Sequence, residues 1–280
     1  MRPIKNFFRN ILFGHFLWPH LLRRVQLPYI RKYLQISKGD LLLDIGCGTG
    51  GMTSRIKGAQ LVIGIDSSPL VLELKPKEKI KWIQGDGKNL PFADRTVDKI
   101  LLSSVLQMTP DYEDLLREAL RVLKPDGKIV ATVPTGLVFT PKIYGKGWLR
   151  YLIRKILRLP KTYNDLIEEM RRKHGGTGPG QFSPSEVVAV VQRTGALVLN
   201  WEYCPRALGS ICYEFIVLIK RSLGQNISAY GYFPLSLFII AWFDRFLSSH
   251  SKGCEIIFSV IKRGSTLDST NLSFKQDFEL

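Results

Sequence analysis

Cysteine and histidine are scarce, with four of each in 280 residues. Cys47, Cys204, Cys212 and Cys254 lie far apart, without a Cys-x-x-Cys pair or a nearby histidine. That spacing excludes a disulfide scaffold and a zinc module, and it suits a reducing compartment. Long apolar runs are also missing. The longest, Phe233 to Phe243, falls well short of the ~20 residues a spanning helix needs. Near the start, Ile11 to Leu22 is interrupted by His15, Pro19 and His20, and no small-residue cleavage site follows. A cleavable signal is therefore not expected. Internal repeats are absent, and 45% hydrophobic residues exclude a wholly disordered, collagenous or fibrous chain.

What is abundant is positive charge. The net charge is +16, and it is unevenly placed. Residues 1–40 carry +7, 41–135 carry +1, 136–173 carry +7 and 174–280 carry +1. A basic chain points to nucleic acid, an anionic membrane or an acidic substrate, and the residues interleaved with the charge decide among them.

Between residues 41 and 135 strands and helices alternate. Leu41–Ile45, Leu61–Asp66, Ile80–Gln84, Lys99–Ser103 and Lys128–Val133 read as strands, mostly unbroken apolar runs of the kind buried in parallel sheets. Tyr112–Leu123 reads as a helix with Leu115, Leu116, Ala119, Leu120 and Leu123 on one face, closed by a turn at Lys124–Gly127. Ser183–Arg193 opens with a cap, Pro184 and Glu186, and Gly195 ends it. Ala196–Tyr203 and Cys254–Lys262 complete the strands. Strands separated by helices imply parallel pairing and right-handed crossovers.

The sharpest local signal is Asp44-Ile-Gly46-Cys-Gly48-Thr49-Gly50-Gly51, after a buried strand and before an expected helix from Met52 onward. Glycines there let backbone approach a ligand, and a helix N-terminus would add free N–H groups. Gly46, Gly48 and Gly51 also fit the dinucleotide fingerprint, so spacing alone leaves the ligand open. The acids narrow it. Asp44 sits where a pyrophosphate binder would not want a carboxylate, Asp66 ends the second strand at ribose-binding position, and Asp86 follows the third, near where an adenine amino group would lie. A positive centre, a ribose and an adenine describe S-adenosylmethionine and not NAD.

LLLDIGCGTGGM, GIDSSP, QGDGKNLPFADRTVDKILLSSVLQ and REALRVLKPDGKIV resemble class I S-adenosylmethionine-dependent methyltransferases, in the branch of ubiquinone- and menaquinone-biosynthesis enzymes and related small-molecule methyltransferases. The resemblance covers roughly residues 38–135. It implies an α/β, Rossmann-like, seven-stranded and mostly parallel sheet whose last strand is antiparallel. It also implies Gly46, Gly48, Thr49 and Gly50 around the methionine part, with Asp44 near its amino group. Asp66, with Ser67 beside it, would hold the ribose. Asp86 and Gly87 would hold the adenine, and Ser103 would line the cofactor. One departure stands out: many relatives carry histidine after the fourth strand, where this chain has Val105-Leu106-Gln107-Met108. Gln107 cannot act as a base, and His174 is the candidate catalytic base.

Ile4, Phe7, Phe8, Ile11, Leu12 and Phe16 make a helical stripe, with Arg2, Lys5 and Arg9 largely off it. Residues 143–161 repeat the basic, aromatic and aliphatic mixture, and residues 205–252 are strongly apolar. Such segments fit an anionic membrane surface or a lid over the cofactor cleft. Insertions after the fifth and sixth strands would shape an apolar acceptor site. Nucleic acid is disfavoured: aliphatic residues flank nearly every arginine, and an Asn/Asp-Pro-Pro-Tyr/Phe motif is missing.

The expected organisation is a basic amphipathic helical segment (1–37), a cofactor core (38–135) and a basic insertion (136–182). The sheet is then completed over 183–263, with an apolar helical insertion at 205–252, and a disordered tail follows at 264–280. The expected function is methyl transfer to a lipophilic or amphipathic small molecule (a quinone precursor, isoprenoid, lipid or lipid-linked sugar) by a cytoplasmic protein at an anionic membrane face. A soluble metabolite as acceptor, or cofactor binding without transfer, are the alternatives. The sequence leaves the oligomeric state open and calls for no metal.

Overall fold

Short apolar runs bounded by glycine and polar turns become central strands where both faces of a sheet are covered, and more alternating runs become its edges. In the computed structural model, which describes residues 17–19, 21–48, 50–73, 79–135, 182–204, 206, 209–211, 232–234 and 252–266, these runs are β2 (Leu41–Ile45), β3 (Leu61–Asp66), β4 (Ile80–Gln84), β5 (Val97–Ser103), β6 (Leu123–Pro134), β7 (Ala196–Tyr203) and β9 (Glu255–Lys262). They form one seven-stranded sheet in the order β4-β3-β2-β5-β6-β9-β7. The pairs from β4 through β6 are parallel, and β9, the last strand among the described residues, runs antiparallel to β6. This is the expected Rossmann-like architecture. Leu42, Leu43, Ile45, Ile65, Ile100, Leu101 and Phe258 are fully buried. Each such side chain contributes roughly 1.5–3 kcal/mol by leaving water.

Helices α1 (Leu21–Leu34), α2 (Tyr112–Val122) and α3 (Pro184–Arg193) accompany the sheet. In α2 the expected face is buried through Leu120, with Val122 added, while Leu123 begins β6 instead. The predicted capping box of α3 is present. Ser183 Oγ accepts the Glu186 N–H at 3.2 Å, and the Glu186 carboxylate accepts the Ser183 N–H at 2.6 Å. Near the C-terminal end of α1, Lys32 Nζ (3.1 Å) and the Tyr33 hydroxyl both donate to the buried Glu202 of β7.

Two local expectations are corrected. The helix expected from Met52 is a single 3-10 turn, Thr53–Arg55, after which Ile56 is extended and Gly58 takes φ +104°. Nine residues separate Gly51 from Leu61, too few for several helical turns and a return to the sheet. The turn expected at Lys124–Gly127 lies within β6 as an irregularity: Val97 pairs with Leu123, and the next partners are Lys99 and Lys128. Asp98, opposite it, accepts Lys124 Nζ at 2.6 Å and the Leu41 N–H at 2.9 Å. A Cβ on Gly127 would stand 2.6 Å from Leu123 Cδ1 and 3.0 Å from the Asp98 carbonyl oxygen, so the irregularity is packed closely around this glycine.

The chain divides into two compact units. One is built from residues 1–26, 136–174 and 203–254, and the other from 27–135, 175–202 and 255–280. The first holds twenty of the forty Lys/Arg, five of the 24 Asp/Glu and all four histidines. Its balance is +15, so the second unit carries +1. Within the first unit β1 (Leu17–Pro19) pairs antiparallel with β8 (Tyr232–Pro234), setting Trp18 opposite Phe233. Also there, the Cys254 N–H donates to Ser210 Oγ at 2.8 Å. The sheet, α2 and α3 belong to the second unit, except for Tyr203 at the end of β7. Among the described residues no helix is long and apolar enough to cross a membrane.

Candidate functional site

The carboxyl ends of β2, β3, β4 and β5 lie side by side, so the loops that follow them share one edge of the sheet. The loop after β2 carries Gly46, Gly48 and Gly50 at φ +70°, +52° and +66°, conformations that glycine alone adopts cheaply. Its path is set by β3. The N–H groups of Gly46 (2.7 Å) and Cys47 (3.1 Å) donate to the Ile65 carbonyl, and the Gly48 N–H donates to Asp66 Oδ2 at 2.7 Å. Asp66 Oδ1 accepts the Ser68 N–H at 2.9 Å. Asp66 therefore locks the glycine loop to the end of β3. Each carboxylate oxygen has a second acceptor position, so the ribose role expected of Asp66 stays open to it.

Asp44 is 1% exposed and accepts the Thr53 hydroxyl. It is oriented by a residue that sequence reasoning did not single out. Cys47 lies buried near both acids. Burial pushes its thiol pKa well up, and the charges of Asp44 and Asp66 push it further.

Asp86 is exposed and accepts the Lys88 N–H at 2.9 Å through its side chain, a tight turn after β4. Gly87 packs against the core: a Cβ there would stand 2.7 Å from Ile45 Cγ2 and 3.1 Å from Leu115 Cδ1. Ser67 is exposed beside Asp66, and Ser103 is buried at the end of β5. Next comes Ser104 at φ +57°, its N–H held by Thr132. That left-handed residue turns the chain so that Val105 covers Gly46, where a Cβ would stand 2.5 Å from a Val105 methyl. Gln107 follows in the 3-10 turn Leu106–Met108, 8% exposed, and its Oε1 has no hydrogen-bond partner among the described residues. Thr49 and His174 lie outside the described residues. So do most of the basic and apolar insertions and the tail beyond Thr266.

Sequence reasoning also missed Trp82 and Gly64. They pair across β3 and β4, and the indole fills the space that a side chain at Gly64 would take. A glycine inside an otherwise apolar strand was the signal that could have found them. Among the described residues no group of three or more His, Cys, Asp or Glu is placed to hold a metal ion.

Comparison with known proteins agrees with this fold. Residues 43–131 match the family described as a methyltransferase domain. A demethylmenaquinone methyltransferase of Lactobacillus johnsonii is 35% identical over 132 residues, 43% of this chain and 53% of that protein. The chain thus spans about half the length of that relative. Among solved structures, an S-adenosylmethionine-dependent methyltransferase from Mesorhizobium loti has a TM-score of 0.53 at 17% identity, covering 84% of this chain and 97% of that one. The cyclase SpnF has a TM-score of 0.53 at 20% identity, covering 86% of this chain and 81% of that one. These structures share the fold of the sheet and its helices.

Proposed function

We propose that the protein transfers a methyl group from S-adenosylmethionine to a lipophilic or amphipathic small molecule at an anionic membrane face. The observation that carries the cofactor assignment is the arrangement around Asp66. A glycine loop with positive φ at three positions is locked to one carboxylate while a second, Asp44, is buried in β2. Backbone that a Cβ would obstruct, together with two acids, fits a ribose bearing a cationic sulfonium better than a pyrophosphate. Asp44, Gly46, Gly48, Thr49 and Gly50 would hold the methionine part, Asp66 and Ser67 the ribose, and Asp86 and Gly87 the adenine, with Ser103 alongside. Bound there, S-adenosylmethionine supplies an electrophilic methyl group. The chain's own work is to hold an acceptor atom in line with that group and to exclude water, which can supply much of the rate. His174 would take a proton from a weakly acidic acceptor, and Gln107, which carries no base, would orient it.

The acceptor and partner rest on the other unit. Positive charge that is split along the sequence is gathered there to +15, among apolar and aromatic segments. That mixture supports an anionic lipid surface, where each Lys or Arg contributes about 1 kcal/mol. The name of the Lactobacillus relative supports a quinone-like acceptor. The likeness to a cyclase shows that this fold also serves other chemistry, so transfer itself has to be measured.

Labelled S-adenosylmethionine incubated with the protein and a total lipid extract should give a labelled, extractable product. Label found only in water-soluble metabolites would favour the soluble-acceptor alternative, and no transfer despite cofactor binding would leave a binding protein. The protein should pellet with anionic liposomes at low salt and be partly released by high salt. Failure to pellet would remove the membrane from the proposal.

A further inference from the structure

Trp82 sits in the middle of β4, in register with Gly64 of β3, which is in turn in register with Asp44 of β2. In a sheet such neighbours point to one face, so the indole and the Asp44 carboxylate belong to one row of side chains. Gly64 leaves room between them. A Cβ on Gly64 would stand 2.6 Å from indole Cε3 and Cζ3, and 2.9 Å from Cys47 Sγ of the glycine loop. The same ring meets the glycine loop: a Cβ on Gly50 would stand 2.5 Å from Cη2 and 3.1 Å from Cζ2 and Cζ3. One half-buried indole thus fills the space above two glycines on different elements, one in the sheet and one in the loop.

Gly50 closes the loop through its N–H to the Cys47 carbonyl at 2.9 Å, and the Ser54 N–H donates back to the Gly50 carbonyl at 2.9 Å. Moving Gly50 therefore moves the turn that bears Gly48 and the start of the 3-10 turn that carries Thr53. Aromatic rings are rigid and present a large contact area, so the indole edge works as a stop against which the loop backbone rests. A smaller side chain would leave Gly50 without a stop and the loop N–H groups without a single position.

We propose that Trp82 is a positioning residue for the cofactor loop: its indole, admitted by Gly64, sets where Gly50 lies and so preorganises the backbone that receives the methionine part of the cofactor. This rests on the cofactor reading proposed above. The indole reports on the loop as well, because a ligand that orders Gly50 changes the ring's surroundings.

The test uses the full-length chain labelled with 5-fluorotryptophan, with S-adenosylhomocysteine as the probe. The fluorine resonance of Trp82 is assigned by its loss in Trp82→Phe. It should shift on saturation, and calorimetry should show Trp82→Phe within about threefold of the wild-type affinity while Trp82→Leu weakens at least about tenfold. In turnover, Trp82→Leu should raise KM for S-adenosylmethionine far more than it lowers kcat. If calorimetry shows wild-type binding while the Trp82 resonance does not move, or if Trp82→Leu binds as the wild type does, the inference is overturned and the cofactor reading stands. If the wild type binds no S-adenosylhomocysteine, both fall. Should Trp82→Leu fail to fold, the Trp82 resonance in the wild type still decides.

Discussion

Replacing Asp66 with alanine should do two separable things, because the carboxylate has two sets of partners. In the protein alone it accepts the Gly48 N–H at 2.7 Å and the Ser68 N–H at 2.9 Å. Hydrogen bonds to a charged acceptor contribute about 1.5–3 kcal/mol each. Asp66 is half-buried, so water replaces part of the loss, and the low end applies: roughly 2–3 kcal/mol for the pair. At about 2–4 °C per kcal/mol for domains of 150–250 residues, the melting temperature should fall by roughly 5–10 °C. The second effect appears only with cofactor, where lost bonds to the ribose should weaken binding at least about tenfold. Asp66→Asn separates the two. Its amide keeps one acceptor for one backbone N–H but turns a donor toward the other, so its melting temperature should lie between those of wild type and alanine. Differential scanning calorimetry and titration with S-adenosylhomocysteine read the two effects on the same samples. An unchanged melting temperature would refute the lock between Asp66 and the loop. Unchanged affinity beside a lowered melting temperature would leave Asp66 a purely structural residue.

Gln107→Met removes a buried amide oxygen that has no partner among the described residues, so stability should be unchanged or slightly raised while turnover falls; a Met variant with full activity would end the orienting role. Cys47 should resist iodoacetamide at pH 8 in the native protein and react in urea, because burial first, then Asp44 and Asp66, push its thiol up; peptide mass mapping that finds rapid native labelling would contradict this. The Arg121 guanidinium holds the Glu118 carboxyl below its ordinary value of 4.5, helped by the Leu90 N–H and opposed by burial. A depressed carboxyl stabilises the fold above its unfolded value and loses that contribution as pH falls through the folded one. The wild type should therefore lose more stability below about pH 4.5 than Glu118→Gln does, and parallel acid melting curves would refute the assignment.

Much of the sheet was legible because its causes are local. Leu41–Ile45 and Leu61–Asp66 appear with the expected bounds, since a strand buried on both faces must be written as an apolar run stopped by turn residues, and the edge strand Ile80–Gln84 appears with its expected bounds from its alternating pattern. The capping box of α3 is legible for a similar reason: Ser183 and Glu186 satisfy each other's backbone within four residues. The acids at strand ends could be picked out because a parallel sheet brings its carboxyl ends together whatever the loops do.

Other features belong to the tertiary structure, because their partners are distant or their outcome depends on available length. Periodicity could not show that the stretch after the glycine loop has room for only one 3-10 turn, nor that Asp98 would face the whole Lys124–Gly127 excursion. Asp66 looked like a ligand residue, and only folding shows that it already holds Gly48, eighteen positions earlier. Trp82 and Gly64 are unremarkable in the sequence and meaningful only once β3 and β4 lie side by side. Charge shows the division most plainly. The sequence by itself determined how much positive charge the chain carries and that it comes in two blocks. Only tertiary structure gathered residues 1–26, 136–174 and 203–254 into one unit of +15, leaving the sheet-bearing unit at +1. The physical reason is that like charges spaced along a chain interact only over a Debye length of about 10 Å, so their common action depends on which segments fold together.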